Sequence, residues 1–452
     1  MKRSLTFLMI VIFLGSVVIA NDVVSAQSEL IASDDSVPPP TSPELGIVPN
    51  LIPRVPASPT GYLLGPEIEI SPQITPTDPD RYHPSAAYNN KRRQYLVVWH
   101  NTWASGHDRE VIGQRVDGYG HLVGSNFPIS SGSHDRIQPA VAYNPTDDNY
   151  MVVWMYDVNG DEKKYEIWGA VVTWDGVVGT PFQIQTYPNT SFWSPQIAWN
   201  SQWNEYAVVW GSIAQDTQIA LDIGLKALHA DGSYIYGTVL WSDGFPSNPD
   251  ITFDSLNHNF LVVWNYVNTS GKTVIKGDLR NADYNRVRLV DVYGSTTNHA
   301  LYPRVDSSMG IFFLVTFEYE NSSTDHDIYV AFVNKDATGS APAAFVSGTT
   351  HDVFPDVAGS QQRFEFMIAY QRADASGAKV LLRPLSNILP LDDIDICNYF
   401  STDCQSPAAI PAAGGYFFGY LVDTPVSVSE TRQHVFGRMF FGQTVYLPVI
   451  SK

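Results

Sequence analysis

The chain has only two cysteines among its 452 residues, so neither a disulfide framework nor a cysteine-built metal cage can organise the fold. Basic residues are also scarce. Against 46 Asp and Glu stand 27 Lys and Arg, a net charge of −19, which argues against nucleic acid and anionic membrane as partners. After the first 20 residues no apolar run approaches the length of a membrane span. The common catalytic signatures are absent: there is no Gly-x-Ser-x-Gly elbow, no His-Glu-x-x-His motif and no phosphate-cradling glycine loop.

What the chain has in quantity is repetition. Pro139-Ala-Val-Ala-Tyr-Asn144, a polar turn and Tyr150-Met-Val-Val-Trp154 are nearly duplicated upstream by Pro84-Ser-Ala-Ala-Tyr-Asn89 and Tyr95-Leu-Val-Val-Trp99. The leading proline recurs as Pro84, Pro139, Pro195, Pro249, Pro303, Pro355 and Pro407, at steps of 52 to 56 residues. The aromatic closing each copy is Trp99, Trp154, Trp210, Trp264, Phe317, Tyr370 or Tyr420, always 13 to 15 residues after its proline. Self-similarity at this period, with every segment reading as a strand, is the signature of four-stranded propeller blades. The expected fold is therefore all-β: a seven-bladed β-propeller of antiparallel blades. Six blades with a separate C-terminal piece is the alternative, because the seventh copy is the most degenerate.

Composition assigns the strands within a copy. The innermost strand, A, is the proline-led segment, as in 195–200. Strand B is a continuous apolar run such as Tyr206-Ala-Val-Val-Trp210, suited to burial on both faces between adjacent blades. Strand C is Glu110-Val-Ile-Gly-Gln-Arg-Val-Asp117 or its equivalent, followed by a glycine turn. Strand D is Phe127-Pro-Ile-Ser130, whose proline fits an outer edge. Residues 61–71 align with 120–130, so the folded region begins on a strand D with no A, B or C before it. The last copy lacks a D, and the N-terminal strand is expected to complete it and close the ring.

Ahead of the repeats, residues 1–26 read as a secretory signal peptide: Lys2 and Arg3, an apolar stretch over 5–19, and Val24-Ser-Ala26 as a cleavage site. Residues 27–60 are a proline-rich linker, and 61–452 form the propeller. The protein is then secreted or attached to the cell surface, with no membrane span after signal cleavage, and is expected to be a monomer. In an exported chain Cys397 and Cys404, with six residues between them, suit a local disulfide pinning a loop in the insertion between the sixth and seventh blades.

The B-to-C and D-to-A loops of a propeller share one face around the central channel, and here they carry many acids and several aromatics. Candidate ligand-binding residues are Trp103, Asp108, Tyr156, Trp193, Tyr266 and Asp327, where aromatics near polar groups could stack on sugar rings. Asp157, Asn159 and Asp161 have alternate oxygen side chains that suit calcium, although the downstream bidentate acid is missing. Asp and Asn also populate turns by bonding nearby amides. An acid opening strand C in several copies (Glu110, Glu166, Asp222, Asp327) fits a repeated hydrogen-bond partner for loop amides. Histidines 107, 134, 299, 326 and 351 are scattered and lack ligand spacing.

The motifs resemble the extracellular bacterial propeller repeats that read roughly Pro-x-Val-Ala-Tyr-Asn, Tyr-Leu-Val-Val-Trp and Ile-x-Gly-Gln-Arg-Val-Asp, over 61 to about 440. The ending Val-Tyr-Leu-Pro-Val-Ile-Ser-Lys also looks like a terminal sequence common on exported proteins of some filamentous bacteria. The resemblance implies an exported binding scaffold and no catalytic residues. The Ser-x-Asp-x-Gly-x-x-Trp boxes of propeller sialidases are missing, and Arg109, Arg136 and Arg372 do not share the single register that propeller lectins repeat. The expected function is non-catalytic binding of a glycan or extracellular protein through the loop face, without a resident cofactor. The alternative is a glycoside hydrolase or lyase built on the same scaffold.

Overall fold

The computed structural model describes residues 62–442, apart from 73–78, 104–107, 218, 363, 375–376, 387–388, 391, 398–402, 413–414 and 428–429. The signal-peptide and linker readings, His107 and the terminal segment 445–452 lie outside the described residues. Seven antiparallel sheets follow one another along the chain. Their inner strands are Asp80–Asn89, Arg136–Asn144, Thr190–Asn200, Ser247–Asp254, His299–Ser308, His351–Gly359 and Cys404–Ala412. Each inner strand touches that of the next blade, and the last touches the first, so the blades form a closed ring. Among the described residues no helix is long and apolar enough to cross a membrane.

Closure follows the expected route. Tyr62–Glu69 is the outer strand of the last blade, paired with Glu430–Gly442 so that Glu69 faces Phe436. One residue further on, the Ile70 amide donates to the Val435 carbonyl at 2.9 Å. The seventh copy is a full blade, which removes the six-blade alternative. In the sixth blade the outer position is split between Leu389–Pro390 and Ile394–Asp395, both paired with Gly377–Ser386.

The apolar B strands explain why the ring holds. In Asn149–Asp157, Tyr150, Val152 and Trp154 pack with Leu96 and Val98 of the first blade, while Met151, Val153 and Met155 pack with Tyr206 and Val208 of the third. Alternation along one strand thus feeds two cores. The same arrangement recurs at all seven blade junctions, the seventh joining Phe417, Leu421 and Val435 to Tyr95, Val97 and Trp99. Each fully buried large side chain contributes about 1.5 to 3 kcal/mol to this sealing.

The inner strands differ from expectation. They begin several residues before their prolines, as in Thr190–Asn200, so the proline sits inside the strand. In every blade the pairing skips there: Tyr82 faces His100 and Ser85 faces Val98, leaving His83 and Pro84 opposite Trp99 alone. That is a β-bulge, two residues against one. It accounts for the constant interval from proline to aromatic, because the two face each other across the A–B hairpin.

The disulfide joins Cys397 to Cys404, with Cα atoms 6.3 Å apart. The bond was expected only to pin a loop, but both cysteines are buried in the core between blades six and seven, beside Tyr416 and Tyr420. The adjoining Ile396 carbonyl accepts bonds from Tyr420 Oη (3.2 Å) and Arg438 Nη1 (2.7 Å). The insertion therefore ties the outer edge of one blade to the inner strand of the next.

Trp154 is 1 % exposed and Trp103 is 39 % exposed. Trp154→Ala should therefore destabilise by about 3 to 5 kcal/mol, while Trp103→Ala leaves the melting temperature nearly unchanged. Equal melting temperatures for the two variants, measured by thermal denaturation, would contradict the assignment of Trp154 to a blade junction.

Candidate functional site

The bulge sets the geometry of the channel mouth. The residue before each proline, namely His83, Gln138, Ser194, Asn248, Tyr302, Phe354 or Ser406, has φ between 49° and 52°. None is glycine, so each holds a left-handed conformation that disfavours an L residue by roughly 1 to 2 kcal/mol. Proline makes the arrangement tolerable, because it has no N–H for the ladder to satisfy. The turned amide of the preceding residue finds a partner on the previous blade in several cases. Phe354 N donates to Glu318 Oε1 (2.8 Å), Ser194 N to Gln138 Oε1 (3.2 Å), Gln138 N to His100 Nδ1 (3.4 Å) and Ser406 N to Gln371 Oε1 (3.4 Å). The side chains at the seven bulges are exposed or half-buried although their strands are largely buried. One repeated backbone device thus presents seven chemically different groups around one mouth.

Aromatic surface gathers at this mouth. Tyr302 and Phe354, on adjacent inner strands, are 40 % and 47 % exposed with ring centroids 6.2 Å apart. Trp193, beside Ser194, is 40 % exposed and rests against the bare Gly211. On the first blade the rings of His83 and His100 stack at 5.2 Å. Enclosure by the surrounding channel and the Arg304 charge hold His83 down to about 4 although its surface is open at the mouth, and burial holds His100 well below its usual range, so both imidazoles are neutral at pH 7.

Below the mouth, three carboxylates cap the free edges of neighbouring inner strands. Val305 N donates to Asp250 Oδ2 (2.8 Å), Gly359 N to Asp306 Oδ2 (2.8 Å) and Ala409 N to Asp356 Oδ2 (2.7 Å). Inner edges have no further strand to pair with, and these side chains supply the missing acceptors. Gly359 is needed for the close approach, since a Cβ there would lie 2.1 Å from the Ser307 carbonyl oxygen. Enclosure by the ring raises all three carboxyls, Asp306 to about 6 and Asp356 to about 7. Arg304 stands between Asp250 and Asp356 at the same level, the first residue after its proline.

The candidates from the sequence are spread over this face. Asp108 Oδ1 accepts from His134 N (3.0 Å), and His134 Nδ1 donates to the Asp157 carbonyl (3.1 Å). The His134 ring stacks on Tyr156 at 6.2 Å, and the Arg136 guanidinium lies 4.9 Å from the same ring. Asp108, Tyr156 and Asp157 therefore form one patch bridging blades one and two, with Tyr156 already flanked by protein. Tyr266 is half-buried against Trp241, 5.6 Å between centroids. Asp327 is buried and accepts from Asn321 Nδ2 (2.8 Å) and Gly348 N (3.1 Å). Trp103 is exposed on the first blade, apart from Trp193 on the third.

In the loop considered for calcium, Asp157 accepts from the amides of Asn159 (3.2 Å), Gly160 (3.1 Å) and Glu162 (2.7 Å), and Asp161 from Lys163 N (3.2 Å). Among the described residues no group of three His, Cys, Asp or Glu side chains is placed to share a metal ion. The acids opening strand C do not share one role. Asp327 holds a loop amide, whereas Glu166 accepts from the side chains of Trp168, Gln183 and Thr186. Two of the scattered histidines do meet: His326 Nδ1 lies 3.0 Å from Glu318 Oε2, and its ring is 4.7 Å from that of His351.

The mouth ring and Arg304 escaped sequence reasoning, although their signal was present. They are the residues immediately before and after the repeated proline, and their variety across copies hid them.

The fold and this face define a seven-bladed β-propeller with a varied polar and aromatic channel mouth. No protein-family model and no curated protein matches the chain. Solved propellers are similar in shape. A protein of unknown function from Dyadobacter fermentans superposes with TM-score 0.51 at 9 % identity, covering 85 % of this chain and 100 % of its own. The polysaccharide lyase Uly1 gives TM-score 0.51 at 8 % identity, covering 84 % and 99 %. A puromycin hydrolase gives TM-score 0.51 at 12 % identity, covering 79 % of this chain and 53 % of its own. At such identities the likeness is one of fold alone.

The raised carboxyls give a pH prediction. A group whose folded pKa lies above the unfolded value of about 3.9 holds its proton more tightly in the folded chain. Its contribution is fully present below that value and is lost as pH rises through the folded value. For Asp356 the loss should fall between about pH 4 and about 7. Asp356→Asn, which keeps an acceptor for Ala409 N, should flatten the melting temperature over that window and raise it at pH 8. A melting profile unchanged by the substitution would contradict this.

Proposed function

We propose that this chain is a binding propeller that engages a glycan or an extracellular protein at the channel mouth on the B-to-C and D-to-A face, without turnover. The observation that carries the reading is the bulge ring, in which one backbone device displays seven different side chains. Such variety on a rigid frame suits recognition. Exposed Trp193, Tyr302 and Phe354 offer flat apolar surface among the hydroxyl and amide groups of Ser194, Gln138, Asn248 and Ser406. A stacked disulfide-and-core junction suits an oxidising compartment and so supports action outside the cell. The protein acts as a monomer in this reading, with neither nucleic acid nor membrane as partner, and its binding needs no resident cofactor. Calcium in the Asp157 loop would be an addition to it, detectable as a rise in melting temperature on titration with calcium.

A second reading, a glycan hydrolase or lyase, is favoured by one observation. Asp356 and Asp306, in one channel wall, have carboxyls raised to about 7 and about 6, within the range of a general acid. Their engagement with strand-edge amides favours a supporting role over a catalytic one.

The test is a glycan and protein array with the secreted domain, read both for retention and for product release. Trp193→Ala, or the pair Tyr302→Ala and Phe354→Ala, should weaken retention by about 2 kcal/mol. Tyr119→Ala, on the opposite face and 73 % exposed, should leave it unchanged. Product release abolished by Asp356→Asn would replace the binding reading with the catalytic one.

A further inference from the structure

Arg304 touches no carboxylate directly, although burial raises the carboxyls of Asp250, Asp356 and Glu318 and the Arg304 charge partly offsets that rise. Among the described residues its guanidinium makes one hydrogen bond, from Nη1 to the carbonyl of its own neighbour Pro303 at 3.3 Å, and no ion pair. Its Nε and Nη2 make no hydrogen bond among the described residues, and the side chain is half-buried. Asp250 and Asp356 flank it on the adjacent inner strands and would be natural partners. Both are instead turned onto the amides of Val305 and Ala409, at 2.8 and 2.7 Å. An arginine held half-buried with free donors, where carboxylates were at hand and were directed elsewhere, presents a planar fork that matches an external carboxylate.

The surroundings narrow the ligand further. Two residues before Arg304 on the same strand is Tyr302, and its ring and that of Phe354 form the exposed aromatic pair of the mouth. Such a pair offers an apolar face to a ring bearing C–H groups. On the first blade His83 is close enough for the Arg304 charge to depress its protonation, and it stays neutral at pH 7. It can therefore meet a hydroxyl as donor or acceptor without competing for the anion. Amide and hydroxyl side chains at Gln138, Ser194, Asn248 and Ser406 continue round the ring. A carboxylate, a flat C–H face and several hydroxyls are together the chemistry of a uronic acid sugar.

We propose that the channel mouth binds an acidic glycan, with Arg304 pairing the carboxylate of a uronate residue and Tyr302 and Phe354 supporting its ring. This rests on the binding reading above and adds the class of ligand. One seat per molecule fits the acidic protein, whose net charge of −19 would repel a polyanion laid along its surface.

The experiment compares oligosaccharides that carry a single uronate residue, such as aldotriouronic acid, with the same oligosaccharides after reduction of that carboxyl group, by titration calorimetry on the folded chain. Wild type should bind the acidic form, and reduction of the carboxyl should weaken binding by about 10- to 100-fold. Arg304→Gln should lose the same factor for the acidic form and nothing for the reduced one, and Arg304→Lys should recover part of it. Melting curves of both variants establish that they fold. If Arg304→Gln fails to fold, Arg304→Lys together with the carboxyl-reduced ligand still measures the pairing. Equal binding of acidic and reduced forms would overturn the assignment to Arg304 while leaving the binding reading intact. Arg304-dependent capture of a peptide C-terminal carboxylate, with no uronate binding, would overturn the sugar assignment. Failure of every acidic glycan to bind would overturn the inference, and loss of all retention at the mouth would overturn both.

Discussion

The constraint on which the structure depends is the bulge that sets each inner-strand proline against the aromatic of the next strand. Three problems are solved at one place by it. The proline lacks an N–H, so it can stand where the ladder skips. The left-handed residue before it turns its amide out of the ladder, and at several junctions that amide reaches the previous blade. The aromatic opposite is free to lie in the blade junction, where Trp99, Trp154, Trp264, Phe317, Tyr370 and Tyr420 are almost wholly buried. Seven strained residues persist because core packing on both sides over-determines them.

Ring closure follows from the same logic of edges. A blade has an outer edge facing solvent and an inner edge facing the channel, and each carries unpaired backbone groups. In the last blade the outer position is taken by Tyr62–Glu69, the first described strand, so closure joins the beginning of the fold to its end. Inner edges cannot be paired that way. In the later blades Asp250, Asp306 and Asp356 supply acceptors instead; at the residue after the proline, where Asp250 and Asp356 stand, the first three blades place serine, alanine or glutamine. Arg304 stands within the acid-capped half, between Asp250 and Asp356.

Much of the architecture was legible in the sequence because it depends on periodicity. The spacing of proline and aromatic gave blade number, strand order, the buried B strands and the closing strand, since each rests on a pattern repeated seven times. The bulge was not legible: Pro195-Gln-Ile-Ala-Trp-Asn200 reads as a strand beginning at its proline, and only pairing reveals the residues 190–194 ahead of it. The site was harder for a related reason. Loop acids attract notice by their number, yet Asp157 and Asp327 are engaged with nearby amides. His326 and Glu318 lie eight residues apart on adjacent strands and meet at 3.0 Å, a contact set by register rather than by motif spacing.

Where a repeat is uniform it reports on folding, and where it varies it is released from folding. The aromatic opposite the bulge is always large because a blade junction must be filled. The residue before the proline spans His, Gln, Ser, Asn, Tyr and Phe, and no packing rule demands any one of them. Its backbone is held rigidly while its side chain differs from blade to blade, which is the condition for carrying recognition on a stable frame. The same distinction separates Arg304 from the carboxylates beside it. Asp250 and Asp356 are bound to strand edges and belong to the frame, while Arg304 has donors that the frame leaves open. The chemistry available to a ligand in this channel is therefore that of the varied positions, not that of the more numerous acids.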